Sequence, residues 1–369
     1  NLYLVTNDVL AAEYVPEARF CVFPGDFVET GTNRNSEWEW ERWFDEALRP
    51  VIQQMPIVPT DGNHDDSENL NYTYHFNTDN QFKENAHVKP QFDGTTYSFM
   101  YGDVLFMVYS LQDYWKGPYS LSTLTSTYLT NDVGNWFRDQ VKAHPEAKWR
   151  IALVHKNIFS GSSHQEDEET PLFRATMLPI IKECEIDLML QGHDHCYEVI
   201  GPVNPDTQKP IKEAIEDLEP TVLSASRNKG GTFTVNDGTL YFIGATCGSK
   251  RYNPNSKTVM EADFDKHKVE NYYDLFTGMF CQPGAPSYST FTVDGNKITV
   301  NSYKVPKGKS PELFNTFYIK RTKDHSSQKS GKKNALKIMQ NGLVYIVHDN
   351  ITYNSIGQIV SNEKIADNR

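Results

Sequence analysis

Cysteine is scarce in this chain. Five occur in 369 residues, Cys21, Cys184, Cys196, Cys247 and Cys281, scattered and without a C-x-x-C pair. That spacing excludes a disulfide framework and a thiolate zinc site. A Cys247–Cys281 bridge stays open for an exported protein, with buried free thiols the simpler state. Long apolar runs are missing too. None approaches the roughly 18 residues of a membrane-crossing helix, so no membrane span is expected. Positive charge is in short supply: 36 Lys and Arg against 48 Asp and Glu leave a net charge of −12. General nucleic-acid binding is thereby disfavoured, because phosphate backbones are held by dense Lys and Arg. No basic region precedes an apolar stretch at the start, so no signal peptide is visible. Asn1 reads as an interior residue of a longer precursor. No repeat recurs at a period of about 20–50 residues.

What is present is enough for a core. Hydrophobic residues make up 38% and aromatic residues 12%, which excludes a mainly disordered chain. The length suits one large α/β domain with a small appendage. Residues 20–24 read as a buried strand ending at Gly25-Asp26. Ser36 and Glu39 form a capping box, followed by Trp40, Trp43, Phe44, Ala47 and Val51 at helical spacing. That spacing makes Trp40 and Trp43 core residues rather than a sugar-stacking platform with Trp38. Residues 56–60 run into Gly62-Asn63-His64. Residues 95–111 predict a hairpin turning at Tyr101-Gly102-Asp103. A helix near 130–143 precedes a strand from Trp149 to Val154, which runs into His155. A helix near 174–184 leads to the strand Asp187–Leu190 and then Gly192-His193.

This is a β-α-β-α pattern whose strands end in polar residues, and in open α/β sheets ligands collect at the carboxyl ends of strands. One such ending has an easy packing explanation; four in register read as a site. Beyond residue 196 the character changes. Residues 202–237 read as an irregular excursion. Residues 239–246, 287–293, 297–305 and 313–320 read as strands, with a hairpin turn at Asp294-Gly295.

The strand-end pieces are GDFVETG (25–31), GNHD (62–65), Val-His at 154–155 and GHDH (192–195). Asp26 offers two carboxylate oxygens able to bridge two cations, and Asn63 a neutral carbonyl oxygen. His155, His193 and His195 add borderline nitrogen ligands suited to zinc, iron or manganese. The glycines beside three of these clusters let the chain turn sharply.

In this order the motifs resemble those of the calcineurin-like metallophosphoesterases, over roughly residues 1–305. The resemblance implies a four-layered α/β/β/α sandwich and a dinuclear site of divalent or trivalent metals (Fe, Zn or Mn). Asp26 would bridge the metals. Asn63, His155 and His193 would complete one position, and His195 would serve the other. His64 would contact the scissile phosphate or protonate the leaving oxygen, with Asp65 orienting it. Two such cations sit about 3.5–4 Å apart and generate the attacking hydroxide.

Within that family the chain looks nearest the purple-acid-phosphatase-like branch. The signs are the aromatic hairpin Thr96-Tyr97-Ser98-Phe99 and the segment from His155 to His164, where His164 stands at the spacing of a substrate-facing histidine. Purple members carry a tyrosine where this chain has Glu29, so no tyrosinate-to-iron colour is expected. The family's first-strand Asp motif is not seen. Asp8 is followed by Val9 and Leu10, and residues 1–15 suit a helix, which puts the motif strand upstream. One metal position is thus expected to be fully formed and the other incomplete.

The implied reaction is hydrolysis of a phosphate ester, a phosphomonoester first, on a small phosphorylated substrate. The alternatives are a phosphodiesterase of the same family and a degenerate, non-catalytic phosphate-binding module. The expected organisation is a catalytic domain over 1–322, a linker over 323–333 and a small β-rich appendage over 334–369. That tail loosely resembles the C-terminal segments of some secreted bacterial proteins, which implies an extracytoplasmic location. The acidic run Glu166–Glu169 reads as a solvated loop, and His75, His87, His144, His267, His325 and His348 carry no spacing signal.

Overall fold

The computed structural model of the chain describes residues 15–30, 37–45, 55–65, 71–78, 94–111, 124–222, 224–226, 228–262, 268–325, 336–340, 343–348, 351–354 and 359–361. It divides into two compact units, Asn1–His325 and Ser326–Arg369.

The main sheet of the larger unit owes its two-sidedness to strand alternation. In β4 (Val104–Val108), Val104, Phe106 and Val108 join one hydrophobic cluster while Leu105 and Met107 join another. In β5 (Trp149–Val154), Trp149, Ile151 and Leu153 face the first cluster, and Ala152 and Val154 the second. Successive side chains point to opposite faces, so a strand apolar throughout is buried on both. Around these lie β3 (Tyr97–Tyr101), β6 (Leu188–Gln191), β7 (Tyr197–Asn204), β11 (Thr239–Gly244) and β12 (Phe280–Cys281), in the order β12-β7-β11-β6-β5-β4-β3, with β8 (Lys209–Pro210) beside β7. The β4, β5, β6 and β11 neighbours are parallel; the β3–β4 hairpin is antiparallel.

On one face pack the helices of Gly134–Ala143 and Thr170–Glu183, through Trp136, Phe137, Phe173, Met177 and Ile181. On the other face is a second β layer. It holds the parallel pair β1 (Cys21–Phe23) and β2 (Ile57–Pro59), and the five-stranded sheet β13-β14-β15-β10-β9. That sheet comprises β9 (Ile215–Pro220), β10 (Asn228–Thr234), β13 (Ser287–Asp294), β14 (Lys297–Lys304) and β15 (Glu312–Lys320). Phe233, Val300, Phe317 and Ile319 meet the main sheet in the shared core.

The fourth layer is built on β1 and β2. Val22 and Val58 point into the inter-sheet core, whereas Phe23 and Ile57 point outward to Trp40 and Trp43 of helix α1 (Glu37–Trp43) and Tyr72 of α2 (Asn71–His75). Trp40 and Trp43 are therefore core. Layers of helix, sheet, sheet and helix make an α/β/β/α sandwich, the architecture the motifs imply.

One reading is corrected. Residues 202–237 are not an irregular excursion but contain the end of β7 and the hairpin-like pair β9–β10. Asp217, Gly230 and Gly231 take positive φ within that pair, and β9 keeps only Ile215 and Leu218 half-buried. An edge strand with so little apolar alternation carries no readable period. The helix expected through Val51 is described only to Trp43, and residues 1–14, with Asp8, lie outside the described residues. Cys281 is a buried free thiol, which removes the Cys247–Cys281 bridge.

At its far end the unit closes on a buried charge cluster. His325 lies 3.2 Å from Glu185 and 3.2 Å from Asp187, and Arg321 is 2.5 Å from Asp187. The smaller unit is a four-stranded antiparallel sheet, β16 (Leu336–Gln340), β17 (Leu343–His348), β18 (Ile351–Asn354) and β19 (Ile359–Ser361). The stretch 326–335 lies outside the described residues.

Candidate metal and phosphate site

Parallel strands β1 and β2 end side by side, and the turns that follow them are stapled to each other. The backbone N–H of His64 donates to Asp26 Oδ1 at 3.0 Å, and the N–H of Asp26 donates to Asp65 Oδ2 at 2.8 Å. Asp65 also accepts from the N–H groups of Gly62 (2.7 Å) and Val28 (3.1 Å). Its carboxyl is thus spent on three backbone donors rather than on the His64 ring, which corrects the role expected for it. Burial, with the Asp26 charge adding to it, pushes the Asp65 carboxyl up to about 8 against the pull of those N–H groups.

The glycines act mainly through space. Gly25 does take a left-handed φ of 92°, but Gly62 and Gly192 are needed for close approach. A Cβ on Gly62 would lie 2.2 Å from both N and Oδ1 of Asp26, and one on Gly192 would lie 2.5 Å from the Pro24 carbonyl oxygen. The strain falls on two of the expected ligands instead: Asp26 at φ 57° and His193 at φ 67° are both left-handed, a conformation that costs a non-glycine residue about 1–3 kcal/mol and that surrounding contacts must hold in place.

His155, at the end of β5, is buried. Its Nδ1 contacts the Pro24 carbonyl at 2.6 Å. A carbonyl only accepts, so Nδ1 carries the proton and a neutral ring presents a lone pair at Nε2. That Nε2 faces Asn63 Oδ1 at 3.1 Å and Asp26 Oδ2 at 3.3 Å. Three acceptors brought together repel unless positive charge lies among them, and a cation with mixed N and O ligands fits that place. Burial alone would raise Asp26 and lower His155; their mutual attraction overrides it, holding Asp26 well below the usual carboxylate range and raising His155.

His193 comes from the turn after β6. Its ring lies 5.1 Å from that of His155 and stacks on that of His164 at 3.6 Å. Burial, reinforced by His155, His164 and Lys156, pushes it down to about 3, so it is neutral and free to ligate. His195 donates from Nδ1 to the Lys250 carbonyl at 3.0 Å, which leaves Nε2 as its ligand atom. Burial pushes it down to about 4. Among the described residues, two groups of three bring ligand atoms within 4.8 Å of one another: Asp26, His155 and His193, and His164, Asp167 and His193. His195 belongs to neither.

His64 places Nδ1 on the Glu29 carbonyl at 2.7 Å, so its Nε2 is the atom left to act. Glu29 is in turn fixed by α1, where Glu39 Oε2 accepts from the N–H groups of Glu29 (3.1 Å) and Thr30 (2.8 Å). Glu39 therefore serves the Asp26 turn; the capping box expected with Ser36 lies outside the described residues.

The acidic run is not a solvated loop throughout. Asp167 Oδ2 contacts His164 Nδ1 at 2.9 Å and His193 Nε2 at 3.5 Å, and Glu169 pairs with buried Lys156 at 2.7 Å. Burial would raise Asp167, yet His164 and His193 hold it below the usual carboxylate range. Its spacing of three from His164 was the available signal. Buried Asp194 anchors the same loop, accepting from the His164 N–H and the Ser160 hydroxyl.

A family model described as calcineurin-like phosphoesterase matches residues 6–197, more than half of the chain. An uncharacterised protein of Mycobacterium tuberculosis is 23% identical over 202 residues, 52% of this chain and 37% of that protein. Purple acid phosphatase 3 of Arabidopsis thaliana is 39% identical over 82 residues, 22% of this chain and 21% of that protein. Among solved structures, a purple acid phosphatase from yellow lupin (Lupinus luteus) seeds superposes with a TM-score of 0.52 at 13% identity, over 86% of this chain and 49% of that one. The fold is shared at that distance. The chain spans about half or less of the length of each of these relatives.

Proposed function

The chain belongs to the calcineurin-like phosphoesterase family, and from that premise we propose that it is a metal-dependent hydrolase of phosphate esters, acting on small phosphomonoesters. The observation that carries this reading is the convergence of His155 Nε2, Asn63 Oδ1 and Asp26 Oδ2, all acceptors, at the ends of three strands.

Asp26, Asn63, His155 and His193 would hold one cation, and Asp26 with His195 would contribute to a second. Bound there, the metals supply Lewis-acid polarisation of the phosphoryl oxygens and a nucleophilic water of lowered pKa. The protein's own contribution is placement. Asp65 and the Gly62 turn hold Asp26 in its strained conformation. His64, its Nδ1–H held by the Glu29 carbonyl, would deliver a proton from Nε2 to the departing alkoxide in its imidazolium form and be left as the neutral Nδ1–H ring. His164, stacked on His193 and oriented by Asp167, is placed to contact a non-bridging phosphate oxygen.

The test compares 4-nitrophenyl phosphate with bis(4-nitrophenyl) phosphate on the metal-loaded chain. The monoester is expected to have the higher kcat/KM, and Asp26→Ala to lose both metal and activity, roughly 10²-fold or more in kcat. Faster diester cleavage would make the chain a phosphodiesterase. Metal bound with neither ester cleaved would leave the phosphate-binding reading.

A further inference from the structure

One wall of the site is supplied by residues 250–255, outside the matched residues 6–197. Tyr252 stacks on His195 at 4.6 Å and 17° and meets His164 edge-on at 5.6 Å. The segment is tied down on both sides. Gln282 Nε2 donates to the carbonyls of His195 (2.8 Å) and Tyr252 (2.6 Å). Ser162 Oγ donates to the Asn253 carbonyl (2.9 Å), and Asn255 Nδ2 to the Ser162 carbonyl (2.9 Å).

Lys250 begins this wall. Its carbonyl receives His195 Nδ1, and its ammonium lies 5.9 Å from the Tyr252 ring centroid and 3.8 Å from Glu29 Oε1. Glu29 is the residue whose carbonyl holds the His64 ring. The ammonium therefore stands between the His195 side of the site and the histidine assigned to the leaving group. The ammonium, like any partly exposed lysine, is charged at neutral pH. The Lys250 and Glu29 side chains are 44% and 50% exposed. An ion pair so open and so long contributes little, and a better anion displaces the carboxylate. Asp167 and Glu169, which would oppose a second negative charge, are engaged by His164, His193 and Lys156.

We propose that Lys250 binds a second phosphate of the substrate, displacing Glu29, so that the site selects substrates whose leaving group is itself phosphorylated, organic diphosphates above simple monoesters. This rests on the phosphoesterase reading and narrows it.

Isothermal titration of the metal-loaded chain with inorganic phosphate and with methylenediphosphonate, which is not hydrolysed, tests the subsite without turnover. The wild-type chain is expected to prefer the diphosphonate. Lys250→Met should shrink that preference roughly tenfold, the scale of one charge-assisted contact, and Lys250→Arg should retain it. Added salt should erode it, as for any half-exposed charge pair. An equal preference in Lys250→Met and wild type would overturn the proposal. Assaying 4-nitrophenyl phosphate on the same preparations separates the two readings. Turnover with an unaltered preference sinks the subsite and leaves the phosphatase. An altered preference without turnover sinks the phosphatase and leaves the subsite.

Discussion

Gly62 has a role that no other residue could take. A methyl group there would collide with backbone as well as side chain of Asp26, and backbone cannot swing aside. Gly62→Ala is expected to keep the fold but displace Asp26, lowering bound metal and cutting turnover roughly 10²-fold, the scale of an ångström's misplacement of a reacting group. Metal content by mass spectrometry alongside kcat checks this; a fully metallated, fully active variant would show that the turn can relax. The candidate ligands were legible in the sequence because each lies within five residues after the end of an apolar run. The directions of their partners were not. Asp65 sits beside His64 in the chain, yet its oxygens point to three backbone N–H groups, two of them on the turn 39 and 37 residues away. Adjacency along a turn says nothing about which way a side chain leaves it.

Among elements, α1 does more than cover β1 and β2. Its Glu39 carboxylate holds the N–H groups of Glu29 and Thr30, and so fixes the carbonyl that selects the His64 tautomer. Glu39→Ala should lower kcat several-fold, within the roughly 10²–10⁴-fold that acid–base help contributes, while leaving KM and metal content near wild type. Nitrogen NMR of the His64 ring should then show loss of the fixed Nδ1–H form; an unmoved ring signal would reduce Glu39 to a structural cap. The strands of the main sheet and the helices over it were readable because Val104–Val108, Trp149–Val154 and Thr170–Glu183 carry strong apolar patterns. The β9–β10 pair was not, since its residues are mostly polar and three of them adopt positive φ. The segment 250–255 carried no signal at all: Lys250 and Tyr252 reach the site only through long-range packing.

For the molecule as a whole, the site is a source of acid sensitivity. His193 and His195 are pushed down to about 3 and 4 by burial, whereas in the unfolded chain each titrates near the ordinary value of about 6.5. Between those limits the unfolded state binds more protons, so stability rises with pH. Their contribution is fully present above about pH 6.5 and is lost as pH falls toward 4 and then 3. The metal-stripped chain should therefore melt at lower temperature at pH 4.5 than at pH 7, and His193→Ala should flatten that dependence. A pH dependence as steep in His193→Ala as in the parent chain would mean that the His193 imidazole is not buried neutral.

The stapled turns also set a timetable. Asp26 and Asn63 leave the ribosome before their partners His155 and His193, and the Lys250 wall follows later still. At about 5–20 residues per second, roughly 10–45 seconds separate residue 26 from residue 250. Throughout that interval the first ligands have no pocket to belong to. A cation held by these residues would consequently bind only after the later segments have folded around it.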